Sequence, residues 1–296
     1  MNLLSLSIKQ AMHTKKQINN IKFTIVGALF LAPMLCFAQP SAEQLKQIVL
    51  QKSVPSWIRA IETSKQIKAN PPVKSWPELW DNLDATEKTS STQALTKASN
   101  ATNGQDMYGY ATWLRHKILA DNADGRYSYA YAYDLMHMKD GKGSLLNEAA
   151  TFLANARLAI AIDGARCRDS AGAEHLRLKY ETQESLRPLV LMVEKMSARD
   201  KAVAMLEAAG IEEARGERPP MEAMCNIGAR AIARALNQGQ EPRKVDTDPA
   251  EKNPTMGDTY EVDTTKIKAE LVPITEWRKA RREILDKTIS DAAKLL

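Results

Sequence analysis

The stretch from residue 105 to residue 165 decides the fold class, and its sequence is QDMYGYATWLRHKILAD-NADG-RYSYAYAYDLMHM-KDGKG-SLLNEAATFLANARLAIAIDGA. Apolar side chains recur near helical spacing in the first segment, Gln105–Asp121, and predict a helix there. Turn residues at 122–125 and 139–143 separate it from two further predicted helices, 126–138 and 144–165. The last of these is apolar on most sides, so we expect it to be the central helix of the protein.

Consecutive helices joined by such short turns pack antiparallel against one another. The fold class predicted for the chain is therefore all-α, either a multi-helix bundle or a short helical-repeat-like array. One exception is predicted near residues 259–272, where the alternating segments 260–262 and 267–271 favour a small β-hairpin.

The composition divides the chain into four regions. Residues 1–38 resemble a signal peptide, and residues 39–237 carry the helical signals of one α-helical domain. Residues 238–258 are rich in Pro, Asp and Lys and predict a flexible linker. Residues 259–296 form a C-terminal segment that ends in a helix, and four side chains are its expected docking face: Trp277, Ile284, Leu285 and Ile289.

The last helix of the predicted α-helical domain spans residues 221–237. Continuous helical spacing leaves Arg230 and Arg234 off one face, whose members are Met221, Cys225, Gly228, Ile232 and Leu236. We therefore expect this face, and Cys225 with it, to point inward.

An export signal is predicted at the start of the chain. Residues 1–22 contain four lysines and no acidic residue, and an apolar run of 16 residues follows, ending at Ala38. This order predicts cleavage after Ala38 and a periplasmic or secreted protein. The apolar run is short of the ~20 residues of a membrane span, so no permanent span is predicted. Two alternatives stay open, a start at Met12 and lipidation of Cys36, although Leu35 departs from the small residue that precedes a lipidated cysteine.

The net charge depends on this signal. The whole chain has 41 Lys and Arg against 36 Asp and Glu, and without the four lysines of residues 1–38 the balance is 37 against 36. A nearly neutral protein has no electrostatic reason to bind nucleic acid, and this class of function is excluded.

Two cysteines, Cys167 and Cys225, follow residue 38. In an oxidising compartment an even pair most simply forms one disulfide, which is the prediction here. Two buried free thiols are the alternative.

An unusual aromatic segment suggests a binding surface. It contains alternate tyrosines, which combine an apolar ring with a polar tip suited to peptides or sugars. The candidate surface consists of Tyr108, Trp113, Tyr127, Tyr129, Tyr131 and Tyr133. The alternative is packing between neighbouring helices, because aromatic stripes at helical spacing usually lie in the core.

The sequence contains no motif for catalysis, a metal or a cofactor. The three histidines after residue 38 match no zinc pattern. Neither a nucleophile elbow nor a phosphate-binding glycine loop is present. The sequence therefore favours an exported, non-enzymatic binding protein for a protein, peptide or glycan partner. A cell-envelope hydrolase acting on peptidoglycan and a component of a secretion or conjugation apparatus are the alternatives.

Overall fold

A computed structural model describes residues 40–99, 104–140, 143–244 and 260–296. Helices make up nearly all of the regular structure in these ranges, so the predicted all-α class is confirmed. The predicted signal peptide and residues 245–258 of the predicted linker lie outside the described residues. Within the described ranges, none of the helices combines the length and the apolar character needed to cross a bilayer. The predicted region boundaries stay a prediction.

The described chain begins with a helical stretch that continues across a proline. Its elements are α1 (Ala42–Ile48), a π-helical turn (Val49–Ser53) and α2 (Val54–Ala69). A capping box starts α1, in which the side chains of Ser41 and Gln44 each bond to the other's backbone N–H. The wider π turn ends two residues before Pro55, and the chain stays helical through the proline, which lies in the first turn of α2.

The segment that decides the fold forms successive helices, as predicted. Five helices follow α2: α3 (Trp76–Thr89), α4 (Ser91–Ser99), α5 (Gly104–Leu119), α6 (Gly125–His137) and α7 (Leu146–Gly164). Asp124 caps α6 by accepting a hydrogen bond of 2.9 Å from the backbone N–H of Arg126. Two short strands, β1 (Lys139–Asp140) and β2 (Gly143–Ser144), pair antiparallel between α6 and α7.

The remaining helices surround this unit. They are α8 (Ala171–Glu181), α9 (Arg187–Glu194), α10 (Ala198–Arg215), α11 (Glu222–Cys225), α12 (Ala229–Asn237) and α13 (Ile274–Leu295). Helix α7 contacts α6, α8, α9, α10 and α13. Its buried side chains lie on several sides of the helix and include Ala149, Phe152, Leu153, Ala156, Ile160 and Ile162. The prediction that this helix is central is therefore confirmed.

Residues 221–237 form two helices instead of the single predicted helix. Gly228 separates α11 from α12 with a φ of 110°, a left-handed conformation that favours glycine. The break reorients α12, so the helical spacing does not continue from Cys225 into the next helix. Cys225 is buried as predicted, but the inward placement of Ile232 and Leu236 is wrong, because both side chains are exposed.

The predicted disulfide between Cys167 and Cys225 is present, with 5.0 Å between the two Cα atoms. Both cysteines are buried. The bond ties the loop after α7 to α11, across 58 positions of the chain.

The two segments of the predicted hairpin pair with other parts of the chain. Tyr260–Glu261 (β4) pairs antiparallel with Arg243–Lys244 (β3). Leu271 forms an antiparallel bridge with Cys167, supported by a hydrogen bond of 2.8 Å from the backbone N–H of Val272 to the carbonyl of Arg166. An isolated two-stranded hairpin is marginally stable in water, whereas this segment packs along the loop that carries the disulfide.

The C-terminal helix α13 packs back on the helical core through its predicted face. Trp277, Leu285 and Ile289 are buried, and Ile284 packs beside them. The indole N–H of Trp277 donates a 3.0 Å hydrogen bond to the carbonyl of Ile162 on α7. This helix is therefore joined to the central helix by both apolar and polar contacts.

Candidate functional site

The six aromatic residues predicted as a binding surface do not form one exposed surface. Four of them lie in the core: Trp113, Tyr127, Tyr129 and Tyr131. Tyr133 is half-buried beside His137, with 4.4 Å between the ring centroids, and Tyr108 is 50% exposed. The structure thus brings together the buried members and leaves Tyr108 apart from them.

Aromatic contacts between helices account for this burial. Tyr129 on α6 stacks on Tyr180 of α8, with 5.1 Å between the ring centroids. Tyr131 meets Phe152 of α7 edge to face, with 4.6 Å between the centroids. Such pairs stabilise beyond the area that they bury, which matches the helix-packing interpretation of the segment.

The polar atoms of three of these side chains, Trp113, Tyr127 and Tyr129, are already hydrogen-bonded within the protein. The indole N–H of Trp113 donates to Asp84 at 2.8 Å, and the Tyr129 hydroxyl donates to Glu181 at 2.8 Å. Because these N–H and O–H groups already donate to the protein's own carboxylates, they are not available as donors to a sugar or a peptide.

A cleft of about 260 Å³ lies beside this aromatic region, between the ends of α3, α5 and α6 and residues 218–221. Lys117 in the cleft bonds to Glu87 at 2.6 Å and to Asp121 at 3.0 Å. Burial pushes the pKa of Asp121 upward, but hydrogen bonds from His116 and Lys117 lower it to about 2. The charged groups of the cleft therefore satisfy one another, and they form a structural ion-pair cluster.

Beneath the cleft lies a buried polar group that we call the Glu212 cluster, formed by Asn155, Asp163, Glu212, Arg215 and Arg218. Arg218 joins two of the acids, with 3.0 Å to Asp163 and 2.5 Å to Glu212. Arg215 adds a third ion pair of 3.0 Å to Glu212. These contacts link α7 and α10 to the chain after α10, so the cluster holds helices in place.

Asp134 on α6 is a buried carboxyl group of a different kind. The residue is 4% exposed, and its Oδ2 has no hydrogen-bond partner within the described ranges. Burial raises its pKa to about 8, so the group is mainly neutral at pH 7. A neutral buried carboxyl group of this kind makes the stability of the fold depend on pH.

Replacement of Asp134 by Asn is expected to flatten the dependence of stability on pH. Between pH 4 and pH 8 the folded protein holds this proton while the unfolded chain has lost it, so wild-type stability falls as the pH rises. The variant should remove about 1 kcal/mol of that fall per pH unit between pH 5 and pH 7, measured by urea unfolding. Asp81→Asn, at an exposed position of α3, should leave the slope unchanged. If the free energy of unfolding changed with pH equally in wild type and in Asp134→Asn, the raised pKa of Asp134 would be wrong.

The most unusual exposed feature of the described surface is the outer face of α12. Four apolar residues at positions i, i+3, i+4 and i+7 lie on this face, which we call the α12 ridge: Ala229, Ile232, Ala233 and Leu236. Ile232 is 43% exposed and Leu236 is 42% exposed. The opposite face of the helix is fully buried through Ala231 and Ala235. The helix therefore packs on the protein through alanines and presents its larger apolar side chains to solvent.

Two exposed charges lie near the two ends of the α12 ridge. Arg230 is in the first turn of α12, and Glu241 follows its C-terminal end, where the chain folds back through a 3.0 Å hydrogen bond from Gln240 to Ala235. Neither charged side chain has a hydrogen bond or an ion pair to any residue in the described part of the chain. Arg234, in contrast, is held by the carbonyl of Lys268 at 3.1 Å.

Helical periodicity counted through residues 221–237 predicts that Ile232 and Leu236 face the interior. Gly228 is the residue in the sequence that indicates otherwise. Glycine is unfavourable inside a helix, so Gly228 favours an end of the first helix and a new start after it. Counting the spacing afresh from Ala229 separates the alanine pair 231 and 235 from Ile232 and Leu236.

The other motifs of the sequence have structural roles. The Nδ1 atom of His116 lies 3.3 Å from the hydroxyl of Ser64, and its Nε2 atom lies 3.4 Å from Asp121. Asp124, in the turn at residues 122–125, caps α6. Across residues 40–99, 104–140, 143–244 and 260–296, no three His, Cys, Asp or Glu side chains meet as metal ligands would.

Fold and site together define an all-α protein that has a disulfide and an apolar ridge on a surface helix. Comparison of the chain with protein families, with curated proteins and with solved structures finds no match.

Proposed function

We propose that this chain is an exported α-helical binding protein whose partner is a protein or a peptide, with the α12 ridge as its docking surface. The exposure of Ile232 and Leu236, one helical turn apart, is the observation that carries the proposal. Large apolar side chains that stand together on a surface mark interaction sites, whereas scattered ones need no explanation. Anchors at i, i+3, i+4 and i+7 are the spacing by which a helix docks into an apolar groove.

Export is supported by two independent features. Residues 1–38 have the order of a signal peptide, and disulfides persist in oxidising compartments such as the periplasm or the extracellular space. A protein or peptide partner is favoured over a glycan, because the aromatic side chains suited to sugars are largely buried.

Photo-crosslinking in intact cells tests the proposal. A photo-reactive phenylalanine derivative replaces Leu236 on the ridge, and in a matched control it replaces Ile58 on α2, which is 47% exposed. We expect a discrete crosslinked product from position 236 and none from position 58, because only the ridge faces a bound partner.

A second change makes the result specific. Arg230→Glu is added to the protein that carries the photo-reactive residue at position 236. It should reduce the crosslinked product at least several-fold, because it reverses a charge that flanks the ridge. Equal crosslinking from both positions, or none from position 236, would contradict the proposed docking surface.

A further inference from the structure

We infer that the partner at the α12 ridge is a second copy of this chain, with the two α12 helices antiparallel about a two-fold axis. The inference rests on the proposed function, because it names the occupant of the same surface. It is carried by the distribution of charge around the ridge, by the spacing of its large side chains and by the near-neutral charge of the chain after residue 38.

The exposed charges at the two ends of the ridge are complementary to those of an inverted copy. Arg230 lies at the N-terminal end and Glu241 lies at the C-terminal end. An antiparallel arrangement brings each Arg230 near the Glu241 of the other copy, and near the negative end of its helix dipole. A parallel arrangement would instead place like charges at the same end of the interface, which is unfavourable.

The apolar side chains have the same symmetry. Ile232 and Leu236 lie on either side of position 234, the midpoint of the exposed pair. A two-fold axis at this midpoint sets Ile232 of one copy against Leu236 of the other, so four large side chains meet at the centre. The short side chains of Ala229 and Ala233 allow the helices to approach at the low end of the 8–10 Å range of interaxial distances.

Long-range repulsion between copies is small. Residues 39–296 contain 37 Lys and Arg and 36 Asp and Glu, so the mature chain is nearly neutral. The ridge itself is short, because a helix of 9 residues is about 14 Å long. The surface that so short a helix can bury in a dimer is below the ~800 Å² per partner of a standard interface. We therefore expect a dissociation constant of the dimer in the micromolar range.

Analytical ultracentrifugation of residues 39–296 over a hundred-fold concentration range tests the dimer. Wild type should convert from monomer to dimer with rising concentration. Ile232→Ser with Leu236→Ser should raise the dissociation constant at least ten-fold. The matched control, Ile58→Ser with Leu178→Ser, should not, although these side chains are 47% and 45% exposed. Circular dichroism verifies that each variant keeps its helical content.

Charge exchange tests the orientation. Arg230→Glu alone and Glu241→Arg alone should each raise the dissociation constant several-fold, because each places like charges together. The double variant should restore wild-type affinity, because the pair is exchanged and remains complementary. Failure of the double variant to restore affinity would overturn the antiparallel arrangement.

A cysteine introduced at a ridge position tests independently how far apart the two copies of that residue lie in the dimer. In the antiparallel pair, the two copies of residue 233 are offset by about 3 Å along the helix and those of residue 229 by about 15 Å. A short bismaleimide should therefore link Ala233→Cys into dimers and should link Ala229→Cys much less. Equal linkage of both variants would contradict the proposed arrangement.

The outcomes separate the two proposals. A protein that stays monomeric at every concentration but crosslinks from position 236 to a different protein overturns the second copy and leaves the docking surface intact. A monomer with no crosslinked product overturns both.

Discussion

Replacement of Glu212 by alanine is expected to lower the free energy of unfolding by about 3–5 kcal/mol. Glu212 is 0% exposed and accepts hydrogen bonds from Asn155 at 2.9 Å, from Arg215 at 3.0 Å and from Arg218 at 2.5 Å. Burial acts to raise the pKa of Glu212, but the charges of Arg218 and Arg215 lower it, so the group is ionised at neutral pH.

The large effect comes from what the variant leaves behind. Arg215 is 7% exposed and Arg218 is 5% exposed, and both guanidinium groups remain buried when the carboxylate is removed. Arg218 keeps its contact with Asp163, but Arg215 loses its ion-pair partner. An uncompensated buried charge costs more than the net value of the pair that held it.

Urea unfolding of three variants measures this cost. Glu217→Ala is the matched control, because Glu217 lies five residues further on and its ion pair with Arg278 is exposed, so little or no loss of stability is expected. Glu212→Gln keeps an acceptor oxygen while removing the charge, and its loss should fall between the other two. Equal losses from Glu212→Ala and Glu217→Ala would show that the cluster does not stabilise the fold.

The helices and the central position of α7 are predictable from sequence because they depend on local patterns. Residues 146–164 are apolar on most sides of their helix, so few of its sides can face solvent. In the C-terminal helix, Trp277 and Leu285 lie on one face. Both patterns are determined within a single element. The structure places these residues in the core for the same reason.

The Glu212 cluster could not be predicted, because its parts are distant in sequence. Residues 212–218 are EEARGER and resemble a solvated charged segment. Three of these residues, Glu212, Arg215 and Arg218, are nevertheless buried. Arg218 bonds to Asp163, which lies 55 positions earlier in the chain. The aromatic segment was ambiguous for a related reason, since Tyr129 and Tyr131 have the same spacing whether their helix faces a partner or the core.

Removal of the disulfide is expected to lower the free energy of unfolding by about 4 kcal/mol, because the closed loop restricts the conformational entropy of the unfolded chain. Cys167 and Cys225 close a loop that spans 58 positions. Urea unfolding of residues 39–296 should show the loss in Cys167→Ala with Cys225→Ala. Wild type in reductant should lose a similar amount, which separates the bond from the packing of the two side chains. Unchanged stability in reductant would contradict a structural role for the bond.

The loss should not be uniform, because the disulfide anchors a weakly packed part of the protein. Helix α12 packs through a small cluster of Ala231, Ala235 and Ile267, which is separate from the main core around α7. Native-state hydrogen exchange in low urea separates local opening from global unfolding, because only global unfolding depends strongly on urea. Without the bond, amide hydrogens of α7 should still exchange by global unfolding, at a rate raised by the lost stability. Those of α12 should exchange at least ten-fold faster than those of α7, through local openings that depend little on urea. Exchange of both helices by global unfolding alone would mean that the bond stabilises only the whole fold. Local opening of α12 would mean that the disulfide holds the α12 ridge in place, so its reduction should also weaken the binding of a partner there.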